Sequence, residues 1–275
     1  MRLERLAQPE GNVPGWGMEQ PSGATRASGR KASPRTIAVL GGAGGIGRAV
    51  VRRLESKGDN VIVLDTPAAI RRYPPSVSAI PIDIRSDSDV ADAADQVRRQ
   101  AAGLDGMVCI SGILGKKQLI KDLDFAEFDE IMRVNLRGLL FASKTFMPLL
   151  ENRDTASLVI MSSAIIGRTI ATYGAYTMSK AGLIALTKQL AVEHAPRVRV
   201  NAVAPAAVDT AFSRGGTGSD ESGVQTDYES LLKLIPLGRV ATPDDIAGPI
   251  DFLLSDDSRY MTGQVLWITG GMVMA

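Results

Sequence analysis

The stretch TIAVLGGAGGIGRAV, residues 36–50, places a short apolar run directly before a glycine-rich turn and an amphipathic segment. Gly41, Gly45 and Gly47 have the spacing G-x-x-x-G-x-G. Glycines permit a tight turn and let backbone N–H groups approach a pyrophosphate, whose charge the N-terminus of the next helix stabilises. Such turns also occur simply for close packing, and only their position after the first strand favours the ligand. The stretch therefore predicts a strand, a turn and a helix that form a candidate dinucleotide site.

The chain beyond this stretch repeats the order of strand and helix. Apolar runs predict strands at 36–40, 60–65, 78–83, 106–111, 156–163, 197–203 and 264–269. Helices are predicted near 46–57, 87–102, 124–151, 174–195 and 243–255. Such alternation implies right-handed crossovers and a buried parallel sheet with helices on both faces. The predicted fold class is therefore α/β, a single-domain doubly wound parallel sheet of the Rossmann type.

Composition restricts the kind of partner. The 275 residues contain 31 basic and 30 acidic side chains, a net charge of +1, whereas nucleic acid or an anionic membrane would call for a basic excess. One cysteine, Cys109, and one histidine, His194, exclude an intrachain disulfide and argue against a bound metal. Without a membrane-span run or a secretory signal, we expect a cytoplasmic protein that acts on a small molecule.

Two segments depart from the alternation. Residues 1–34 mix Gly, Pro, Ser and Arg without periodicity, which predicts a disordered N-terminal extension before a catalytic domain at 35–275. The Gly/Ser-rich stretch within 206–239 is long for a compact domain and predicts a substrate loop or lid.

The lid and the loop after the fourth strand suggest the substrate's character. The side chains concerned are Phe212, Arg214, Tyr228, Ile113, Leu114, Lys116 and Lys117. A pocket built from them would accept a mostly apolar molecule, open-chain or cyclic, with one polar or anionic group.

The second strand ends in Asp65, eighteen residues after Gly47. An acidic residue at that place accepts hydrogen bonds from the adenosine ribose and repels a 2′-phosphate. The alternative is an ordinary cap or turn aspartate before Thr66. Asp83, at the end of the third strand, is either a neighbour of the adenine or a turn residue. Asp65 therefore predicts NAD as the cofactor.

The sequence YTMSK, residues 176–180, places a phenol four residues before an ammonium. On a helix, residues i and i+4 share one face, so Lys180 would lie one turn from Tyr176. A cation there favours the phenolate and makes the tyrosine a better proton-transfer group. The spacing alone is common by chance, so the surrounding motifs decide its meaning.

Four motifs in this order resemble the short-chain dehydrogenase/reductase family. They are the glycine turn, VNLRG at 134–138, VIMSS at 159–163 and YTMSK at 176–180. The resemblance runs from about Arg35 to the C-terminus. It implies an NAD-dependent oxidoreductase that interconverts a secondary alcohol and a ketone, and a homotetramer.

The resemblance also implies a catalytic tetrad. Its members are Asn135, Ser163, Tyr176 and Lys180. Ser163 is favoured over Ser162 because it lies thirteen residues before Tyr176, and Tyr173 is rejected because Thr177 stands where the lysine should be. Tyr176 would transfer the proton and Lys180 would hold the nicotinamide ribose. Ser163 would hydrogen-bond the substrate oxygen, and Asn135 would hold a water that relays protons from Lys180.

The cofactor contacts implied by the resemblance extend along the whole chain. They are Gly41, Gly45, Ile46, Gly47, Asp65, Asp83, Ile84, Ser111, Gly112, Tyr176, Lys180, Val208 and Thr210. Two other functions remain open at this stage: a 3-oxoacyl thioester reductase, and a catalytically silent dinucleotide-binding regulator on the same fold.

Overall fold

A computed structural model describes residues 34–214 and 228–274 and contains one parallel sheet. Its strands are β1 Thr36–Leu40, β2 Asn60–Asp65, β3 Ser78–Pro81, β4 Gly106–Cys109, β5 Ala156–Met161, β6 Val198–Pro205 and β7 Val265–Ile268. They pair in the order β3-β2-β1-β4-β5-β6-β7. This arrangement confirms the predicted α/β doubly wound parallel sheet.

Helices connect the strands. They are α1 Gly45–Ser56, α2 Pro67–Arg72, α3 Asp87–Gln100, α4 Phe125–Met132, α5 Leu139–Glu151, α6 Gly174–His194, α7 Tyr228–Leu232 and α8 Pro243–Leu254. Helices α3, α5 and α6 pack on one face of the sheet, and α1 and α8 pack on the other.

Each central strand is buried on both faces, which explains its unbroken apolar sequence. In β1, Ala38 and Leu40 join the core under α3, α5 and α6, whereas Ile37 and Val39 join the core under α1 and α8. Full burial of one such aliphatic side chain stabilises the fold by about 1.5–3 kcal/mol. Packing in the two cores fixes the position of β1 in the sheet, and with it the point at which the glycine turn begins.

The helical pattern at 124–151 is not one continuous α-helix. Helix α4 ends at Met132, a π-helical turn covers Arg133–Gly138, and α5 begins at Leu139. Such turns insert an extra residue into a helix and are frequent at functional sites. Here the turn contains Asn135, a residue of the implied tetrad.

Other differences are small or cannot be compared. Helix α2 was not expected, because a six-residue helix that begins at a proline has too little periodicity to detect. The N-terminal extension, except Pro34, and the part of the lid at 215–227 lie outside the described residues. In the described ranges, no helix is both long and apolar enough to cross a membrane.

Candidate active site

A large cleft opens at the carboxyl ends of the strands. The strand order reverses between β1 and β4, so their following loops leave in opposite directions and open a crevice there. The cleft has a volume of about 1350 Å³. All the implied cofactor contacts line this cleft. Of the tetrad, Ser163, Tyr176 and Lys180 line it, and Asn135 does not.

The glycine turn forms one wall of the cleft. The N–H of Gly41 donates to the carbonyl of Leu64 at 2.7 Å, and its φ of +90° is a conformation that other residues rarely adopt. A Cβ added at Gly47 would clash with the carbonyl oxygen of Gly41. At Gly45 an added Cβ would lie 2.7 Å from Cγ2 of Thr210. The turn is therefore closed to side chains, and Thr210 packs directly on it.

The carboxylate of Asp65 lies beside the same turn and is half-buried. It accepts hydrogen bonds from the N–H of Ala43 at 2.9 Å and of Thr66 at 2.8 Å. Burial raises its pKa, and the backbone hydrogen bonds oppose that rise. The side chain thus braces the turn, and its oxygens retain lone pairs for a further donor.

A second pair in this part of the cleft was missed by sequence reasoning. The guanidinium of Arg48 stacks 3.8 Å from the centre of the Tyr73 ring, and both residues line the cleft. Nη1 of Arg48 is buried without a hydrogen-bond partner among the described residues. Nothing in the sequence spacing signals the stack, because Tyr73 follows the short helix α2, which itself escaped detection.

At the other end of the cleft, α6 presents Tyr176 to the strand end that carries Ser163. The hydroxyl of Ser163 acts to lower the pKa of the Tyr176 phenol, and the Tyr176 ring centre lies 6.2 Å from that of Phe212. The neighbouring Ser162 is buried and donates to the carbonyl of Lys180 at 2.8 Å. The two serines therefore differ in role: Ser163 meets the phenol and Ser162 anchors the helix.

Lys180 is buried one turn further along α6. Its ammonium donates to the carbonyl of Met161 at 3.0 Å and lies 5.7 Å from the centre of the Tyr176 ring. Burial lowers its pKa to about 8 and raises the pKa of Tyr176 to about 12. In this arrangement the pKa of Tyr176 is shifted upward, opposite to the direction expected from the charge of the lysine, because burial disfavours the phenolate.

Asn135 lies beneath the cleft and is fully buried. Its Oδ1 accepts from the N–H of Ile113 at 2.7 Å, and its Nδ2 donates to the carbonyl of Ile113 at 2.8 Å and to Oγ of Ser179 at 3.1 Å. Both amide protons are used, so the side chain ties the loop after β4 to α6. That bracing is a different task from the water-holding role implied by the resemblance.

The substrate side of the cleft differs from expectation in one respect. Ile113 and Leu114 line it as expected, but Lys116 and Lys117 are not among the lining residues. The ammonium of Lys117 instead lies 5.4 Å from the centre of the Tyr173 ring. The lining also includes a charged loop side chain that no motif indicated, that of Arg168.

A metal site would need several acidic, cysteine or histidine side chains close together. Within residues 34–214 and 228–274, no cluster of three or more could hold a metal ion. Cys109 is fully buried, and desolvation raises its pKa to about 12.

Known proteins share both the sequence and the fold. A family model described as enoyl-(acyl carrier protein) reductase matches residues 41–273. The 2-(S)-hydroxypropyl-CoM dehydrogenase 3 of Xanthobacter autotrophicus is 32% identical over 86% of this chain and 95% of its own length. The 3-oxoacyl-[acyl-carrier-protein] reductase of Aquifex aeolicus is 30% identical over 85% of this chain and 95% of its own. The ligand-free aldohexose dehydrogenase of Thermoplasma acidophilum has a TM-score of 0.78 at 28% identity, covering 87% of this chain and 94% of its own.

Proposed function

The chain belongs to the short-chain dehydrogenase/reductase family, and we propose that it uses NAD(H) to interconvert a secondary alcohol and a ketone. The proposal rests chiefly on one observation: Ser163, Tyr176 and Lys180 converge at the same end of a cleft whose other end is a glycine turn. A proton-transfer group and a dinucleotide site in one crevice are what oxidation of an alcohol requires.

The cleft fits a dinucleotide. Its volume of about 1350 Å³ exceeds the range of about 300–1,000 Å³ usual for a single small ligand. Gly41, Gly45 and Gly47 would hold the pyrophosphate against the N-terminus of α1. Asp65 would accept from the adenosine ribose, and Val208 and Thr210 would meet the carboxamide. When bound, the nicotinamide would supply hydride transfer to or from the carbinol carbon.

The protein's own groups would handle the proton and the oxygen. Tyr176 carries a proton at neutral pH, since burial raises its pKa to about 12, so its hydroxyl can protonate the forming alcohol in reduction. The hydroxyl of Ser163, which lines the cleft together with that phenol, would donate to the substrate oxygen and stabilise its developing charge. In the oxidative direction, the phenol must lose its proton first, which favours alkaline conditions.

Lys180 and Asn135 would support this exchange. The pKa of Lys180, lowered to about 8 by burial, allows the ammonium to release and regain a proton near neutrality. Asn135 holds the loop that carries Gly112 against α6, since its amide bonds the N–H and carbonyl of Ile113 and Oγ of Ser179. The proposed roles are therefore proton exchange for the lysine and positioning for the asparagine.

A cofactor-reduction assay tests this function. Purified protein would be incubated with NAD and a panel of cyclic alcohols, dihydrodiols, hydroxy acids and hydroxyacyl thioesters. Turnover of any secondary alcohol supports the proposal. Tight binding of NADH without turnover of any alcohol or ketone would instead support a catalytically silent regulator.

A 3-oxoacyl thioester reductase is the second candidate. It is favoured by the match to the enoyl-(acyl carrier protein) reductase model and by the relative from Aquifex aeolicus. The assay separates the candidates, because this function requires that hydroxyacyl or oxoacyl thioesters be turned over far faster than cyclic alcohols.

We also propose a cytoplasmic homotetramer. Exposed apolar side chains on α5 and α6, among them Leu140, Met178 and Val192, support association, because such side chains favour burial against a partner. Light scattering at micromolar concentration is the test, and a monomer there would contradict it. Removal of residues 1–30 should leave the assembly and the activity intact.

A further inference from the structure

The substrate end of the cleft has an apolar surface. It is lined by Ile113, Leu114, Ile165, Ile170, Phe212 and Leu234, which lie on the loops around Tyr176 or on the lid. Such a surface binds hydrocarbon, and it gives no orientation to a molecule by itself. A polar or charged contact is needed to place one particular carbon beside Tyr176.

One basic side chain enters this surface. Arg168 lines the cleft five residues after Ser163, on the loop between β5 and α6. An acidic residue, Asp209, also lines the cleft, on the loop after β6, and it has an interaction partner of its own.

The loop that carries Arg168 is held in place by packing. The N–H of Arg168 donates to the carbonyl of Ala164 at 3.2 Å. A Cβ added at Gly167 would lie 2.7 Å from Val273 and 3.0 Å from the ring of Trp267. At Gly167, immediately before the arginine, the backbone thus packs closely against β7 and the C-terminal segment. The side chain of Arg168 therefore starts from a fixed backbone position at the edge of the cleft.

The guanidinium of Arg168 makes no hydrogen bond or ion pair with any described residue. Two neighbouring lysines do have partners among the described residues: Lys117 lies over the ring of Tyr173, and Lys180 donates to Met161. Arg85, in the adenine part of the cleft, pairs with Asp83 and Glu130. Arg168 therefore retains its full donor capacity for a ligand.

From these observations we infer that the substrate carries an anionic group, a carboxylate, sulfonate or phosphate, which Arg168 binds while Tyr176 acts on the carbonyl or carbinol carbon. The planar fork of arginine matches such oxyanions with two parallel hydrogen bonds, which would fix the substrate's orientation as well as its affinity. The inference rests on the proposed oxidoreductase function and names the substrate class for that site.

The test compares matched ketones that differ only in charge. The probes are 3-oxobutanoate, 4-oxopentanoate and 5-oxohexanoate with their methyl esters, and 4-acetylbenzoate and 4-acetylbenzenesulfonate with methyl 4-acetylbenzoate. The chain-length series covers different distances between the two groups, and the aromatic set separates carboxylate from sulfonate. Each is measured with NADH for kcat and KM, and by isothermal titration in the presence of NADH.

Arg168→Gln keeps the length and polarity of the side chain and removes the charge. We expect wild-type protein to prefer the best anionic ketone over its ester by on the order of tenfold in KM, and Arg168→Gln to abolish that preference and to lower kcat for the anionic ketone, whose orientation is then lost. The wild-type preference should also weaken at high salt, since charge attraction at an exposed side chain is screened. Arg99→Gln, an equal change of net charge on the exposed face of α3, is the matched control and should keep the preference.

The outcomes separate the inference from the function. Equal use of anions and esters by the wild type, or an unchanged preference in Arg168→Gln, overturns the inference while the oxidoreductase function stands. If no ketone is turned over, the proposed function fails, and titration still decides the inference: tighter binding of anions that is lost in Arg168→Gln supports it, and equal binding refutes it.

Discussion

The ammonium of Lys180 lies 5.7 Å from the centre of the Tyr176 ring and donates its hydrogen bond to the carbonyl of Met161 at 3.0 Å. Both side chains are buried, and burial opposes the charged form of each. The pKa of Tyr176 is therefore raised to about 12, and that of Lys180 is lowered to about 8. The pair holds a neutral phenol beside an amine that titrates near neutrality.

Tyr176→Phe removes the transferable proton and keeps the ring. Turnover should fall by about 10²–10⁴-fold, the usual contribution of a positioned acid or base, with NADH binding unchanged by fluorescence titration. Tyr173→Phe is the matched control, because Tyr173 lines the same cleft without a lysine one turn later, and most turnover should remain. Near-normal turnover in Tyr176→Phe would remove this phenol from the mechanism.

The ionisation of Tyr176 is open to a direct optical measurement. With a pKa of about 12, its phenol should not ionise below about pH 10 in the protein without cofactor. The ultraviolet absorbance difference between wild type and Tyr176→Phe should therefore show no phenolate between pH 7 and about 10. Phenolate absorbance appearing with a midpoint near 8 or 9 would mean that the lysine, and not burial, controls the tyrosine.

The buried ammonium of Lys180 should lower stability in a pH-dependent way. Folding lowers its pKa from 10.5 to about 8, so below pH 8 both folded and unfolded protein bind the proton and the folded state carries the full cost. Between pH 8 and 10.5 the folded state releases the proton first, and stability rises with pH. At pH 7 the cost is about 3 kcal/mol, converted from the shift.

Lys180→Met removes that cost and leaves the carbonyl of Met161 without its donor, which costs about 1 kcal/mol. The inactive variant should thus be more stable than wild type by about 1–2 kcal/mol at pH 7, and the gain should shrink towards pH 9.5. Urea unfolding at the two pH values measures it. Lys188→Met, an exposed lysine of the same helix, should show no such change with pH. A gain that is equal at both pH values would contradict the assignment.

The sequence predicted the parallel sheet well because strands that are buried on both faces must be continuously apolar. The runs at 36–40 and 60–65 coincide with β1 and β2 to the residue. The π-helical turn at Arg133–Gly138 could not be predicted, since one extra residue per turn leaves the amino-acid types of a helix unchanged. This turn contains Asn135, whose side-chain amide bonds both the N–H and the carbonyl of Ile113.

The site was less predictable than the fold wherever the course of a loop or the degree of burial decides the outcome. Lys117 and Arg168 are both basic loop residues, and the sequence does not tell which one reaches the cleft. The pKa of Tyr176 depends on competition between burial and a nearby cation, and only coordinates give their relative size. Spacing could identify the reacting groups because Tyr176 and Lys180 are fixed by helical geometry.

Gly47 tests the glycine turn as a closed surface. Gly47→Ala should abolish NADH binding or prevent folding, because the added Cβ would clash with the carbonyl of Gly41. Gly248→Ala is the matched control: it lies within α8 with open space around an added Cβ, and it should stabilise the protein by about 0.5–1 kcal/mol. Thermal unfolding and NADH titration give both readouts, and a folded Gly47→Ala variant that binds NADH normally would refute the tight turn.

The choice of cofactor depends on Asp65. Its carboxylate accepts from Ala43 at 2.9 Å and Thr66 at 2.8 Å, so it is fixed beside the turn where the adenosine ribose would bind. It can accept from the ribose hydroxyls of NAD, but it would meet the extra charge of NADP at short range. We expect wild-type kcat/KM for NAD to exceed that for NADP by on the order of hundredfold.

Removing the charge of Asp65 should relax the preference for NAD over NADP, mainly by ending repulsion of the 2′-phosphate of NADP. The basic side chain of Arg48 nearby should add to the effect. Arg48 lines the same part of the cleft, stacked on Tyr73 with one nitrogen unpartnered among the described residues, so it can meet a phosphate once the carboxylate is gone. Asp65→Ser tests the charge, and Asp65→Asn keeps an acceptor for the N–H of Ala43 if the serine variant proves unstable. Asp83→Ser, which removes another carboxylate of the cleft, should keep the preference for NAD. Wild-type use of NADP and NAD alike, or an unchanged ratio in both Asp65 variants, would reduce Asp65 to a brace of the glycine turn.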